Sequence, residues 1–219
     1  MIWDWSFAAR TLPELLWAFV RYTLLITVLG SVLGAVLGLV FAIVRRVRVR
    51  VPVLAPLTTA FIEFIRSTPV LVQLFFIFYV LPEAGLTIPP VTAGVIGLGV
   101  HYACYYAEVY RAGIDGVPIG QWEACTALSL PPRYTWQHVV LPQAVRNVLP
   151  ALGNYAISMF KETPYVSLIF VPELVQRAQS IGSINFRYTE PITIAGLIFL
   201  AASYPTALAL RRLEKRLGH

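Results

Sequence analysis

Five ionisable side chains, Glu63, Arg66, Glu108, Lys161 and Glu162, interrupt stretches that are otherwise apolar. Charge in such surroundings is costly and points to a pathway or a buried partner. Two of the five open a repeated pattern. Arg66-Ser67-Thr68-Pro69 and Lys161-Glu162-Thr163-Pro164 each read base, one residue, Thr-Pro. Proline within a helix removes a hydrogen bond and clashes with the preceding turn, whereas at the first helical position it fits. With Thr68 and Thr163 as caps, each segment is expected to divide into two half-helices near the bilayer centre. The N-terminus of such a half-helix offers partial positive charge to an anion. Cations (Arg66, Lys161), carboxylates (Glu63, Glu108, Glu162) and neutral hydrogen-bonders (Ser67, Thr68, Gln73, Thr163) together suit a small zwitterion. Ordinary proline kinks with mutually paired charges would use the same residues. The repetition of the pattern favours a pathway.

These side chains need membrane-spanning elements to hold them. Of 219 residues, 58% are hydrophobic and 13% charged, and the mean hydropathy is +0.70. Soluble domains carry about 25% charge and 45–50% apolar residues. Disorder, a basic nucleic-acid module and most soluble enzymes are thereby excluded. Tyr22 to Val44 and Pro191 to Leu210 are free of charge. As helices they would extend about 34 and 30 Å, against a hydrocarbon core of about 30 Å. With three less uniform segments, the expected architecture is all-α and polytopic. Its five transmembrane helices fall near 22–44, 55–81, 91–111, 147–171 and 191–210, in one domain over 1–219. Continuous rather than alternating apolar runs exclude a β-barrel. The start Met-Ile-Trp-Asp lacks a basic region and a cleavage site, so the first helix is expected to be retained.

Charge orients the bundle. The loop after the first span, the loop between the third and fourth spans with its flanking Arg111 and Arg146, and the C-terminal tail hold eleven basic residues against three acids, whereas the other side has four against five. The positive-inside bias places the basic side in the cytoplasm, the N-terminus outside and the C-terminus inside. The net charge of +6 thus reports topology rather than nucleic-acid binding. Gly30, Gly34 and Gly38 form a small-residue stripe suited to close helix packing. Cys104 and Cys125 make no CxxC pair, and His101 reads as a packed histidine. There is no phosphate loop, HExxH or GxSxG, so no metal site and no enzyme constellation is expected.

In the 112–142 loop, Gln121 to Ser129 reads as a short helix bounded by Gly120 and Pro131-Pro132. It carries Glu123 and offers Trp122, Ala124, Ala127 and Leu128 to a partner's groove. Here the chain resembles the EAA loop of binding-protein-dependent ABC importer permeases, whose pattern is Glu-Ala-Ala, three residues, Gly, nine residues, Ile-x-Leu-Pro. This chain has Glu123-Ala124-Cys125, then Ser129, then Val139-Val140-Leu141-Pro142 at the same spacing. Cys125, Ser129 and Val139 depart from the pattern, and the serine bears on the turn. Arg66 to Gln73, Ala107 to Gly113 and Lys161 to Pro164 resemble further motifs of the polar amino-acid permeases. Trp3-Asp4-Trp5, His101-Tyr102 and Phe186-Arg187-Tyr188 resemble the ectoine/hydroxyectoine subgroup.

The resemblance implies a type I ABC importer permease in the bacterial inner membrane, surrounded by lipid and binding no nucleic acid. A second permease subunit, identical or homologous, an ATP-binding subunit dimer and an extracytoplasmic substrate-binding protein would complete it. The chain would bind no cofactor, with ATP and Mg on the partner ATPase. Glu123 would anchor the ATPase, with Arg111, Gly120, Ala124, Cys125, Ser129, Leu141 and Pro142 positioning it. The competing function is an ion-coupled secondary transporter of small zwitterions, which also uses broken helices but needs no docking helix.

Overall fold

The computed structural model describes residues 3–46 and 53–217. The part of the basic loop that holds Arg48 and Arg50 lies outside the described residues. All regular structure among the described residues is helical.

The first helix, α1 (Trp5–Arg46), has 42 residues, with a wide turn at Phe19–Leu24. At about 63 Å it is far longer than the expected 22–44 span. The extension exists because Asp4 caps it, accepting from Ser6 N and Phe7 N at 2.9 and 3.0 Å. Its buried face (Phe7, Ala8, Thr11, Leu15, Ala18) is apolar at helical spacing apart from Thr11, whose hydroxyl donates to Ala8 O at 3.1 Å. The charges that ended the apolar run are held by partners. Glu14 pairs with Arg177, and Asp4 with Arg187 at 3.7 Å.

The second expected span is broken. The helix α2 (Leu54–Arg66) meets the segment α3 (Val70–Ala84) at 104°. The next helix, α4 (Pro90–Asp115), is the centre of the molecule and buries residues on most of its circumference. Its neighbour α1 lies so close that a Cβ on Gly38 would fall 2.7 Å from Tyr106 Cβ and 2.8 Å from Ala103 O. The glycine stripe is therefore a packing seam.

A short helix, α5 (Ile119–Ala127), leads through Pro132–Tyr134 and a wide turn at Thr135–Val140 into α6 (Leu141–Glu162). A 3-10 segment, Thr163–Ile169, follows, then α7 (Leu174–Asn185) and α8 (Thr189–Leu217). The fourth expected span thus begins earlier than residue 147, and α7 was not anticipated. By length and composition, Trp5–Arg46 and Thr189–Arg216 can each cross a membrane, and the bent pair α2–α3 would be a third.

The core has one large cluster, in which α4 (Leu98, Tyr102, Tyr106) meets Ile26, Leu74, Met159 and Val166. A second packs the start of α1 on α7 and α8.

Candidate functional site

The two breaks converge on the middle of α4. At the first, the Arg66 guanidinium lies over the Tyr105 ring at 5.4 Å and pairs with Glu63 at 3.3 Å. Gln73 holds the break together. Its Nε2 donates to Ile65 O (2.7 Å), Thr68 O (3.1 Å) and Thr68 Oγ1 (2.8 Å), and Ile65 O is the carbonyl whose helical donor Pro69 lacks. Its Oε1 faces His101 Nδ1 at 3.1 Å. That histidine is 8% exposed and hydrogen-bonded.

At the second break, Glu162 lies beside the Tyr102 hydroxyl. One Glu162 oxygen (Oε2) and one Arg66 nitrogen (Nε) are buried without a hydrogen-bond partner among the described residues. Buried polar atoms are nearly always satisfied, so exceptions call for a reason such as a ligand. Tyr102 and Tyr105, three residues apart on α4, connect the two. They belong to a cluster with Tyr106 and Tyr155, with ring centroids 5.3 to 6.4 Å apart. These tyrosines were not among the expected site residues, although 102, 105 and 106 follow helical spacing.

The expected caps act differently. Thr68 Oγ1 donates back to Phe64 O and Ile65 O, and Thr163 Oγ1 donates back to Phe160 O at 2.7 Å. Both hydroxyls close the preceding helix rather than opening the next. Pro69 itself is the N-cap residue of the resumed helix, and Ser67 ends α2.

Two candidates lie elsewhere. Lys161, one residue from Glu162, is turned by the helix to a crevice between α6 and α8 with Asn154, Ser158, Arg211 and Glu214. Glu108 joins a different ionic group. It pairs with Arg45 and with Arg111 (2.8 Å), while Arg111 and Arg46 reach Asp115 at 3.1 and 3.3 Å.

The second region is the α5 surface. The helix begins two residues earlier than expected, with Pro118 as its N-cap residue, so Gly120 lies inside it with open space around its Cα. Trp122 and Cys125 face inward. Trp122 packs edge-on against Trp136 at 5.4 Å, and Cys125 is buried. The expected outward Trp122 is thereby corrected: a small core of Val117, Val140 and Ala144 takes the ring. Glu123, Ala124, Ala127 and Leu128 face outward, with Ile119 and Leu128 each 72% exposed. The helix closes on Ser129, whose φ of 51° is left-handed. Ser129 N bonds Thr126 O and Leu130 N bonds Cys125 O, each at 3.0 Å. That is the termination glycine favours, so the departure at Ser129 leaves the turn intact at a conformational cost. Leu141 and Pro142 are exposed where α6 begins, and Gln143 Nε2 donates to Gln121 Oε1 at 3.3 Å.

Comparison with known proteins shows the family and the fold. Residues 30–219 match the family described as binding-protein-dependent transport system inner membrane component. The chain is 44% identical over 156 residues (71% of this chain, 68% of the relative) to a probable amino-acid ABC transporter permease protein of Sinorhizobium fredii. It is 38% identical over 159 residues (72% and 73%) to a glutamine transport system permease protein of Escherichia coli. The crystal structure of an amino acid ABC transporter with histidines superposes with a TM-score of 0.92 at 35% identity, covering 99% of this chain and 100% of that one. An inward-facing methionine ABC transporter shares the fold, with a TM-score of 0.75 at 22% identity over 94% and 97%. The chain therefore belongs to the inner-membrane components of binding-protein-dependent transport systems, as a multi-pass permease subunit and not an enzyme.

Proposed function

We propose that this subunit carries a polar amino acid or related small zwitterion across the membrane through the junction of its two breaks. One observation supports this reading above the others. Arg66 Nε and Glu162 Oε2, both buried and neither hydrogen-bonded among the described residues, flank the Tyr102–Tyr105 face of α4. A zwitterion's carboxylate would meet the first and its ammonium the second. The relatives described as amino-acid and glutamine permeases point to the same class of substrate. Lys161 and Glu108 lie outside this junction, in the α6–α8 crevice and in the ionic group with Arg45 and Arg111. In this reading the chain crosses five times with its N-terminus outside. It pairs with a second permease subunit and receives substrate from an extracytoplasmic binding protein. Two ATPase subunits, which hold ATP and Mg, engage the outward face of α5 around Glu123.

The narrower ectoine/hydroxyectoine reading gains little from the geometry. Asp4 and Arg187 pair with each other, and Arg187 with Glu190, in a clasp between the start of α1 and α8. Of the stretches behind that likeness, His101-Tyr102 alone lies at the junction.

The test is reconstitution with the ATPase and binding protein. Arg66→Met and Glu162→Gln should each lower uptake at least about tenfold, the scale of one lost charge-assisted hydrogen bond, with basal ATP hydrolysis retained. Uptake unchanged in both variants would refute the site. Glu123→Ala should insert normally yet uncouple hydrolysis from uptake. Ion-gradient-driven uptake without the ATPase would instead establish a secondary transporter.

A further inference from the structure

A cleft of about 620 Å³ opens at the end of the bundle that carries α5, between the last turns of α1 and α4 and the first turn of α2. Arg45, Arg46 and Arg111 line it, opposite Ala42, Pro56 and Ala60.

The charges there do not balance. Glu108 and Asp115 are the carboxylates of this group, and all four of their oxygens are already engaged. Glu108 Oε1 takes Arg45 and Oε2 takes Arg111, while Asp115 Oδ1 takes Arg46 and Oδ2 takes Arg111. Among the described residues, three guanidiniums with five N–H donors each face two carboxylates with about four acceptor sites each, leaving a surplus positive charge and more donors than acceptors. The first turn of α2, which borders the cleft through Ala55 and Pro56, begins without a side-chain cap and adds its positive dipole end.

Beside the arginines the cleft lining is apolar, with Ala42 on α1, Ala55, Pro56 and Ala60 on α2, and Ile114 on α4. A soluble anion would use the basic floor alone. A diacyl phosphodiester uses both, with its headgroup on the arginines and its chains along the apolar helices.

We propose that this cleft binds the headgroup of an anionic phospholipid of the inner leaflet. The inference rests on the reading that the α5 end faces the cytoplasm. Occupancy would bear on coupling, because Arg46 also lies over the Trp136 ring at 5.3 Å and Trp136 packs on Trp122 of α5.

The assembled transporter would be placed in phosphatidylcholine nanodiscs doped with phosphatidylglycerol, then released, and its retained lipid read by native mass spectrometry. The intact protein should retain phosphatidylglycerol in preference to phosphatidylcholine. Arg46→Gln should reduce that retention about fivefold, as expected for one interfacial arginine. Ala60→Trp should reduce it similarly by filling the cleft while leaving every ion pair in place. Equal retention by the parent and Arg46→Gln overturns the proposal even if Ala60→Trp fails to fold. Displacement of the lipid by inorganic phosphate or ATP overturns it in favour of a soluble anion. Glu123→Cys, labelled with a membrane-impermeant thiol reagent, provides the separate control. Labelling from the cytoplasmic side upholds the sidedness, whereas labelling from outside refutes the topology on which this inference stands.

Discussion

The breaks at Arg66–Pro69 and Lys161–Pro164 share a sequence pattern and end in different structures. After Pro69 the chain turns through 104° and resumes as a helix. After Pro164 it tightens into a 3-10 segment that ends on Phe170 in the left-handed region, φ 63°. Both prolines remove a helical donor, and both threonines turn back onto the helix they end. The difference arises from the residues downstream of each proline. Gln73 reaches back across the first break and serves three acceptors there. No described residue takes that part at the second. There Ser167 Oγ donates to Pro164 O at 2.6 Å, which favours the tighter turn, and Glu173 restarts the chain by capping α7. A local pattern thus specifies where a helix stops, and the nearest polar side chain downstream specifies how the chain leaves.

That contrast can be broken from either side. The largest effect is expected from Gln73→Leu, which removes the shortest donor to Ile65 O and the side-chain donor to Thr68 O, and leaves His101 without its Gln73 partner. A stability loss of about 2–4 kcal/mol should result, read as a lowered unfolding midpoint in detergent. Ser167→Ala at the second break should cost about 1 kcal/mol by the same assay. Equal losses would mean that the two breaks are held alike, contrary to their geometry.

The second break should also respond to pH. Glu173 is fully buried, accepting from Val175 N and Gln176 N at 2.9 and 2.8 Å, and burial pushes its carboxyl up to about 7 from an ordinary 4.5. The folded state therefore holds this proton more tightly than the unfolded one. The stability contribution is complete below about pH 4.5 and is lost as pH rises through 7. Subtracting the profile of Glu173→Gln from that of the parent should isolate this fall. Parallel profiles would show that Glu173 does not titrate in this window.

The smallest effect concerns a third turn. Ser129, like Phe170, occupies left-handed backbone, but it ends an exposed helix with a small side chain. Ser129→Gly should stabilise the fold by about 0.5 kcal/mol, the relief of left-handed strain less the entropy glycine loses, measurable as a raised midpoint with unchanged ATPase docking. A destabilised variant would show that the serine side chain supports the turn.

Much of this was legible along the chain. The apolar runs, the glycine stripe and the short helix before Ser129 each arise from residues close in sequence, and the structure places helices at all of them. Less legible were the start of α1 and the whole of α7. Their charges, Asp4, Glu14, Arg177 and Arg187, look like loop residues until their partners from distant segments are in view. The inward turn of Trp122 was hidden for a similar reason, since its pocket is built from Val117, Val140 and Ala144 on either side of it in the chain.

The residue types alone determined that this protein lies in a membrane, because few charges over long apolar runs admit no other solvent. They also determined that two of its helices break, because proline after threonine leaves carbonyls without donors whatever surrounds them. Only the tertiary structure decided which charges share a site. Lys161 and Glu162 are neighbours in sequence, yet helical geometry sends them to different crevices. Arg66 and Glu162 are far apart in the chain and are both held against α4, on Tyr105 and Tyr102. Side-chain direction depends on helix phase and on what packs against each face, and neither is encoded by a residue's immediate neighbours.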